Sequence, residues 1–184
     1  MAASSVETEI KLAVANAGAV RRGLRRLGFE LARREWERDI VLDTADSALR
    51  GNGCLLRLRR HGRRWMLTFK GPPSRDQRYK TRPEIETGVA DGQRLLRILG
   101  ELGYRPVFRY EKIRSTYRQG KARAMAGLDV TPIGTFLELE GPRPWIDRTA
   151  RALGFGPRDY ITRSYGVLYL EYCHKHGRQP SDMV

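Results

Sequence analysis

The sequence predicts an α+β fold: about eight strands, mostly antiparallel, surround a closed or nearly closed charged interior, and helices pack on the outside. Two observations carry this reading. Charged residues recur on alternate positions in at least five segments, with apolar residues in the gaps; in strands, this sends the charges to one face and the apolar residues to the other. Three amphipathic segments end in the same way, at Leu27-Gly28-Phe29, Leu102-Gly103-Tyr104 and Leu153-Gly154-Phe155, where glycine takes the left-handed position past a helix end and the next apolar residue folds back. Helices of this kind pack on the apolar face of the strands, so the charged face is left to line the interior.

In chain order, Val6 to Leu12 alternates Val6, Thr8, Ile10 and Leu12 against Glu7, Glu9 and Lys11. Asn16 caps a helix carrying Val20, Leu24 and Leu27 at core spacing. Asp39 to Asp43 sets Ile40 and Leu42 against Asp39, Val41 and Asp43, and Leu55 to Arg59 sets Leu56 and Leu58 against Arg57 and Arg59. After a turn at His61-Gly62, Trp65, Leu67 and Phe69 lie opposite Met66, Thr68 and Lys70, which makes a hairpin. Arg82, Glu84 and Glu86 share a face; Asp91 then caps a helix with Leu95, Leu99 and Leu102. Lys112, Arg114 and Thr116 share a face, Leu128 and Val130 oppose Asp129, and Leu137 and Leu139 oppose Glu138 and Glu140. A helix after Pro144 carries Trp145, Thr149 and Leu153, and a last amphipathic stretch spans about Ser164 to Tyr172. Trp65 and Trp145 are expected in the shell between barrel and helices.

A chain of 184 residues suits one domain. Residues 1–173 read as that domain, and the polar residues 174–184 as a disordered tail. No apolar run approaches the roughly 18–20 residues of a membrane span, and Met1 to Ser5 lacks a signal layout, so no membrane partner and a cytoplasmic location are expected. Cys54 and Cys173 have no CxxC spacing and read as reduced thiols. The three histidines, His61, His174 and His176, supply little for a Ser-His-Asp machine or a histidine-built zinc site.

The net charge of +14 invites a nucleic-acid reading. Arg21, Arg22, Arg25 and Arg26, however, form the solvated face of a helix, whereas Arg57, Arg59, Lys70, Lys112 and Arg114 interleave with buried-type residues on strands. Any one such strand is an ordinary solvated sheet face; together they build a polar interior. Its acids would be Glu7, Glu9, Glu84, Glu86, Asp129, Glu138 and Glu140, and its bases Lys11, Arg57, Arg59, Lys70, Arg82, Lys112 and Arg114. Crowded carboxylates repel unless some hold protons or cations sit between them, and the bases likewise need an anion. Divalent metal on the acids and a polyphosphate on the bases satisfies both, and oxygen-only ligands favour Mg²⁺ or Mn²⁺ over zinc, as one or two ions. A noncatalytic phosphate- or RNA-binding module would explain the +14 but not the paired glutamates, which repel a nucleic-acid backbone; nucleic acid is therefore not the expected partner.

Taken in order, Glu7-x-Glu9-x-Lys11, Leu56-Arg57-Leu58-Arg59, Leu67-Thr68-Phe69-Lys70-Gly71, Arg82-x-Glu84-x-Glu86, Lys112-x-Arg114, Leu128-Asp129 and Gly134-x-Phe136-Leu137-Glu138-Leu139-Glu140 resemble the CYTH domain of the triphosphate tunnel metalloenzymes. The resemblance runs from about Val6 to Leu170. It implies a closed antiparallel eight-stranded barrel enclosing a tunnel, and an enzyme that binds a triphosphate-containing small molecule with divalent metal, as a monomer or a homodimer. Family activities are inorganic triphosphatase, thiamine triphosphatase and class IV adenylyl cyclase.

By the same resemblance Glu7, Glu9, Glu138 and Glu140 are metal ligands, and Asp129 is a further ligand or a water-orienting group. Glu7, Glu9, Lys11 and Asp129 form the catalytic set, while Lys11, Arg57, Arg59, Lys70, Lys112 and Arg114, with Arg82 beside them, hold the triphosphate. Arg109 has the opposite parity and stays outside, and Asp39 and Asp43 are expected to be structural. The expected activity is metal-dependent hydrolysis of tripolyphosphate to diphosphate and phosphate, since hydrolysis asks less of the tunnel mouth than cyclisation of ATP, which needs an adenine pocket. The loop from Gly71 to Thr81, with Arg75, Arg78 and Lys80, reads either as a basic lid or as a plain exposed loop.

Overall fold

Eight antiparallel strands close into a barrel in the computed structural model, which describes residues 5–184 apart from 77, 121 and 122. The strands are β1 (Ser5–Ala13), β2 (Glu30–Asp43), β3 (Leu55–His61), β4 (Arg64–Lys70), β5 (Lys80–Val89), β6 (Arg105–Arg118), β7 (Met125–Thr131) and β8 (Gly134–Glu140). Around the barrel they run β1-β5-β4-β3-β2-β6-β7-β8. The helices are α1 (Ala17–Arg26), α2 (Ala48–Gly51), α3 (Gly92–Glu101), α4 (Arg143–Ala152) and α5 (Tyr165–Lys175). Among the described residues, no helix is long and apolar enough to cross a membrane.

The helix boundaries follow local chemistry. Asn16 Oδ1 accepts from the Ala19 amide at 3.0 Å, and Asp91 Oδ1 accepts from the Arg94 amide at 2.9 Å, so α1 and α3 begin where their caps stand. At the far ends, Phe29, Tyr104 and Phe155 donate backbone N–H groups to Leu24, Leu99 and Ala150, and the glycine before each has positive φ. That is the predicted stop, made three times.

The hydrophobic core lies outside the barrel, between the strands' apolar face and the helices. Ile10, Leu12, Leu128, Leu137 and Leu139 pack under Val20 and Leu24 of α1 and Ile146 and Ala150 of α4, with Trp145 beside them. On the other flank Leu42, Leu56 and Leu58 meet Leu95 and Leu99 of α3 and Trp65. Fully burying one such aliphatic side chain contributes about 1.5–3 kcal/mol, so this shell holds the helices on and leaves the inner face free for charge.

Strand lengths depart from the sequence reading most at β2 and β6. Both run fourteen residues and pair from Glu30↔Arg118 to Asp43↔Arg105, with irregularities between Leu31 and Arg33 and between Val41 and Leu42. The first half of β2 is obscured in the sequence by Arg33, Arg34 and Glu35, which break simple alternation. The tail also departs from expectation. Residues 174 and 175 belong to α5, and Met183 is 1% exposed, packed with Tyr110, Phe136, Tyr165 and Leu168. Its backbone bridges β6: the Glu111 amide donates to the Met183 carbonyl and the Met183 amide donates to the Arg109 carbonyl, both at 2.9 Å. Because β7 pairs only with Ile113 to Arg118, the earlier part of β6 has an edge to offer, and the tail takes it rather than remaining disordered.

Candidate active site

The inner face of β1 carries Glu7, Glu9 and Lys11, all buried, and register sets their partners. Lys11 lies opposite Glu138 and Glu9 opposite Glu140 on β8, while Glu7 faces Arg82 and Glu9 faces Lys80 on β5. Lys11 Nζ sits 3.1 Å from both Glu9 Oε1 and Glu138 Oε1. Lys80 Nζ reaches Glu9 Oε1 at 2.9 Å. Lys70 on β4 is bound to Glu7 and stands 3.2 Å from Glu84.

Across the barrel the cations of β3 and β6 meet carboxylates of β2 and β7. Arg59 grips Asp39 through two hydrogen bonds of 2.7 and 3.1 Å and reaches Glu37 at 2.9 Å. Arg57 donates to Thr68 at 3.2 Å, but its buried Nε has no hydrogen-bond partner among the described residues; the carboxylate oxygen of Asp39 is 3.6 Å away. Lys112 and Arg114 converge on Asp129, at 2.8 Å and at 2.7 and 2.6 Å, and Arg114 also binds Glu138. A cavity of about 270 Å³ runs between these groups, lined by Glu7, Glu9, Lys11, Lys70, Glu138 and Glu140 among others.

Burial and pairing set the protonation states. Burial raises the Glu9 carboxyl, but Lys11 and Lys80 outweigh it and hold Glu9 well below the ordinary range. Glu138 is likewise held far down against its burial, by Arg114, Lys11 and Lys112. Glu140 goes the other way: burial first, then the neighbouring Glu7 and Glu9, push it up to about 7. Glu84 is pushed to about 8 by burial and by Glu7, against the pull of Lys70. Carboxylates are therefore crowded where β1, β8 and β5 meet: Lys11, Lys70 and Lys80 pair with Glu7, Glu9 and Glu138, while Glu84 and Glu140 favour a proton.

The donor set at that junction fits a hard divalent cation, since Glu7, Glu9, Glu138 and Glu140 offer only oxygen. Among the described residues no three carboxylates converge as a ready metal cluster. Lysines and arginines occupy Glu7, Glu9 and Glu138, and Glu140 has no ion pair among those residues.

Two predicted site residues sit differently from the rest. Asp129 is fully buried behind the cavity wall, with its oxygens taken by Lys112, Arg114 and the Tyr165 hydroxyl at 2.7 Å. Arg82 lines the cavity, but its guanidinium is spent on the carbonyls of Gly53, Lys70 and Gly71, at 2.8–3.1 Å. Arg109 lies outside the barrel on Asp182, as its parity requires.

The structure adds Glu37, Asp39, Lys80 and Tyr165. Alternation of Glu35, Glu37 and Asp39 was the available signal for the β2 pair; Asp39 is structural in that it pins Arg59. Lys80 opens β5 rather than ending a loop. Nothing in the sequence marks Tyr165, whose ring centroid lies 5.3 Å from Lys11 Nζ and 4.8 Å from Lys112 Nζ. The loop before Lys80 is neither a free lid nor a plain exposed turn. Asp147 on α4 accepts from Arg78 at 2.7 Å, Tyr79 at 2.8 Å and Tyr160 at 2.9 Å, and Asp76 pairs with Arg143 at 2.8 Å.

The family model of the CYTH domain matches residues 5–165. The chain belongs to the CYTH family. A relative from Methanocaldococcus jannaschii, named "Putative adenylate cyclase MJ0240", is 33% identical over 135 residues, covering 73% of this chain and 76% of that protein. Among solved structures, the PH1819 protein of Pyrococcus horikoshii OT3 superposes with a TM-score of 0.76 at 28% identity, covering 90% of this chain and 99% of that one. HpAC1 from Hippeastrum superposes with a TM-score of 0.66 at 18% identity over 95% of this chain and 97% of its own, a likeness of fold. CYTH membership supports an enzymatic activity directed at triphosphates, triphosphatase or class IV adenylyl cyclase.

Proposed function

We propose that this CYTH protein is a metal-dependent hydrolase of triphosphate compounds, with inorganic tripolyphosphate as the minimal substrate and diphosphate and phosphate as products. The observation that carries it is the cavity in which Lys11, Arg57, Lys70, Lys112 and Arg114 face Glu7, Glu9, Glu138 and Glu140, the last without an ion pair among the described residues. Lys11, Lys70, Lys112 and Arg114 are buried, and Arg57 Nε is a buried donor that a phosphate oxygen would satisfy. HpAC1 is described as a putative adenylyl cyclase with dominant triphosphatase activity, which favours hydrolysis on this fold.

Substrate entry exchanges partners. Lys70, Lys112 and Arg114 turn part of their hydrogen bonding from carboxylates to phosphate oxygens and so hold the chain of phosphates in line for displacement. Arg59 stays fixed on Asp39 and Glu37 and contributes field more than contact. Asp129 works from behind the wall as a positioning residue, keeping Lys112 and Arg114 aimed inward. Glu7, Glu9 and Glu138, released from lysine and arginine, would hold Mg²⁺ or Mn²⁺ together with Glu140, and the ion would supply charge neutralisation on the phosphoryl oxygens and a more acidic water.

The name of the M. jannaschii relative favours a second reading, cyclisation of ATP, in which the ribose 3′-hydroxyl attacks the α-phosphate in the same tunnel. Phosphate release from tripolyphosphate, thiamine triphosphate and ATP with Mg²⁺ or Mn²⁺, beside a cyclic-AMP assay, decides between them. Phosphate from tripolyphosphate supports the proposal. Cyclic AMP as the product of ATP with no tripolyphosphate turnover replaces it with the cyclase reading, and inertness towards all three substrates overturns both.

A further inference from the structure

The ladder between β1 and β5 ends inside the site. It pairs Ser5↔Glu84 through to Glu9↔Lys80, and there the two chains part. Past that pair the edge of β1 is taken by the segment that follows α4: the Lys11 amide donates to the Ile161 carbonyl and the Ile161 amide donates to the Lys11 carbonyl, both at 2.9 Å. On the other side the chain before Lys80 bends away at Arg78 and Tyr79. The seam therefore opens between the two lysines that hold Glu9 Oε1, Lys11 at 3.1 Å and Lys80 at 2.9 Å. A ladder frays most readily at its end, and an ammonium on a flexible four-carbon stem is placed only as well as the backbone beneath it.

One carboxylate bridges that opening from outside the barrel. Asp147 Oδ1 accepts from the Tyr79 hydroxyl at 2.8 Å and from the Tyr160 hydroxyl at 2.9 Å, and Oδ2 accepts from Arg78 at 2.7 Å. Tyr79 immediately precedes Lys80, and Tyr160 immediately precedes Ile161. The two ring centroids lie 6.2 Å apart, with the Arg78 guanidinium 5.2 Å from one and 5.9 Å from the other. All three partners donate, so an ionised carboxylate suits the position, and an amide would turn a donor toward one of them. Asp147 is not what attaches its helix, because Ile146 and Ala150 of α4 are fully buried in the core against the barrel.

Resting on the reading of the tunnel as a triphosphate site, we propose that Asp147 is a positioning residue for it: through Tyr79 and Tyr160 it holds the backbones of Lys80 and Lys11 on the two sides of the open seam, and so keeps both ammonium groups on Glu9 and within reach of the phosphates. Neither Asp147 nor the two tyrosines line the tunnel cavity. Their effect on the ligand passes through the lysines.

The hydroxyls can be removed one at a time with the rings left in place. Tyr79→Phe, Tyr160→Phe and Asp147→Asn are compared with the unaltered protein by calorimetric Kd for tripolyphosphate without added metal, by KM and kcat for phosphate release with Mn²⁺, and by thermal melts. Each phenylalanine variant is expected to weaken tripolyphosphate by about threefold and Asp147→Asn by about tenfold, with KM rising more than kcat falls. Tyr79→Phe is also made in Lys80→Ala, where it should weaken binding no further, because the residue it positions is gone. The phenylalanine variants keep the buried packing and carry the test if Asp147→Asn fails to fold. Weakening by Tyr79→Phe that persists in full without Lys80, or a lowered melting temperature with tripolyphosphate binding unchanged, overturns the proposal. Variants that bind and turn over tripolyphosphate like the unaltered protein overturn it as well and leave the hydrolase reading intact. Weakened binding in the three variants of a protein that releases no phosphate supports the positioning role and defeats the hydrolase reading. An unaltered protein that neither binds nor hydrolyses tripolyphosphate overturns both.

Discussion

Replacing Asp129 with asparagine separates a positioning role from a chemical one. The carboxylate is 0% exposed and accepts from Lys112, twice from Arg114, and from the Tyr165 hydroxyl, all within 2.8 Å. The asparagine side chain would keep the shape, remove the charge, and turn an amide donor toward Lys112 or Arg114, which can only donate. Breaking a buried ion pair from one side costs about 3–5 kcal/mol. Lys112 retains Glu37 at 3.5 Å and Arg114 retains Glu138, which places the loss near the lower figure. For a chain of this length about 3 kcal/mol lowers Tm by roughly 6–12 °C. Urea and thermal melts measure it. Tripolyphosphate supplies oxygens to the two freed cations, so saturating ligand should recover more stability in Asp129→Asn than in the unaltered protein. A variant that melts like the original, or that loses turnover with no loss of stability, would refute the positioning role and return Asp129 to the chemistry.

Glu140 and Glu84 have carboxyls raised to about 7 and about 8, against 4.5 for a free glutamate. Their protonated forms stabilise the folded state, fully below about pH 4.5, and that contribution is lost as pH rises through about 7 to 8. Metal-free protein should therefore lose stability across that window, and Mn²⁺ should stabilise it more as pH rises; thermal melts with and without Mn²⁺ check this, and a flat or falling metal effect contradicts it. Met183→Ala should cost about 2–4 kcal/mol by opening a cavity beside Tyr110 and Tyr165, read by denaturant unfolding; a loss below about 0.5 kcal/mol would mean the tail is not docked. Lys80→Ala leaves Glu9 with Lys11 alone, and it should raise KM for tripolyphosphate severalfold with little change in melting temperature. Equal changes in both would mark Lys80 as structural.

The barrel and its polar interior were legible because two periodicities are written plainly: alternate charge in β1, β3, β5, β6 and β8, and the repeated helix stop at Gly28, Gly103 and Gly154. What escaped did so for physical reasons. Glu37 is missed because Arg33, Arg34 and Glu35 obscure the first half of β2, and Asp39, placed on its strand by alternation with Ile40 and Leu42, reads only as structural. Tyr165 enters from a helix after the barrel, and no local pattern ties it to Asp129. The tail was hidden by its composition, since one methionine among polar residues is enough to dock it on an open strand edge. Arg82 shows the limit of parity: inward direction was right, yet three backbone carbonyls take its donors. Whether a side chain faces the ligand or serves the wall is a matter of partners, which alternation does not encode.

Phosphate release from tripolyphosphate with Mg²⁺ or Mn²⁺, compared between the unaltered protein and Arg57→Ala, tests the central claim most directly. Arg57 has a buried donor with no hydrogen-bond partner among the described residues and lines the tunnel cavity. The account predicts metal-dependent release that falls by about two orders of magnitude in Arg57→Ala, with melting temperature little changed. Release that is absent, indifferent to metal, or equal in the two proteins would contradict it.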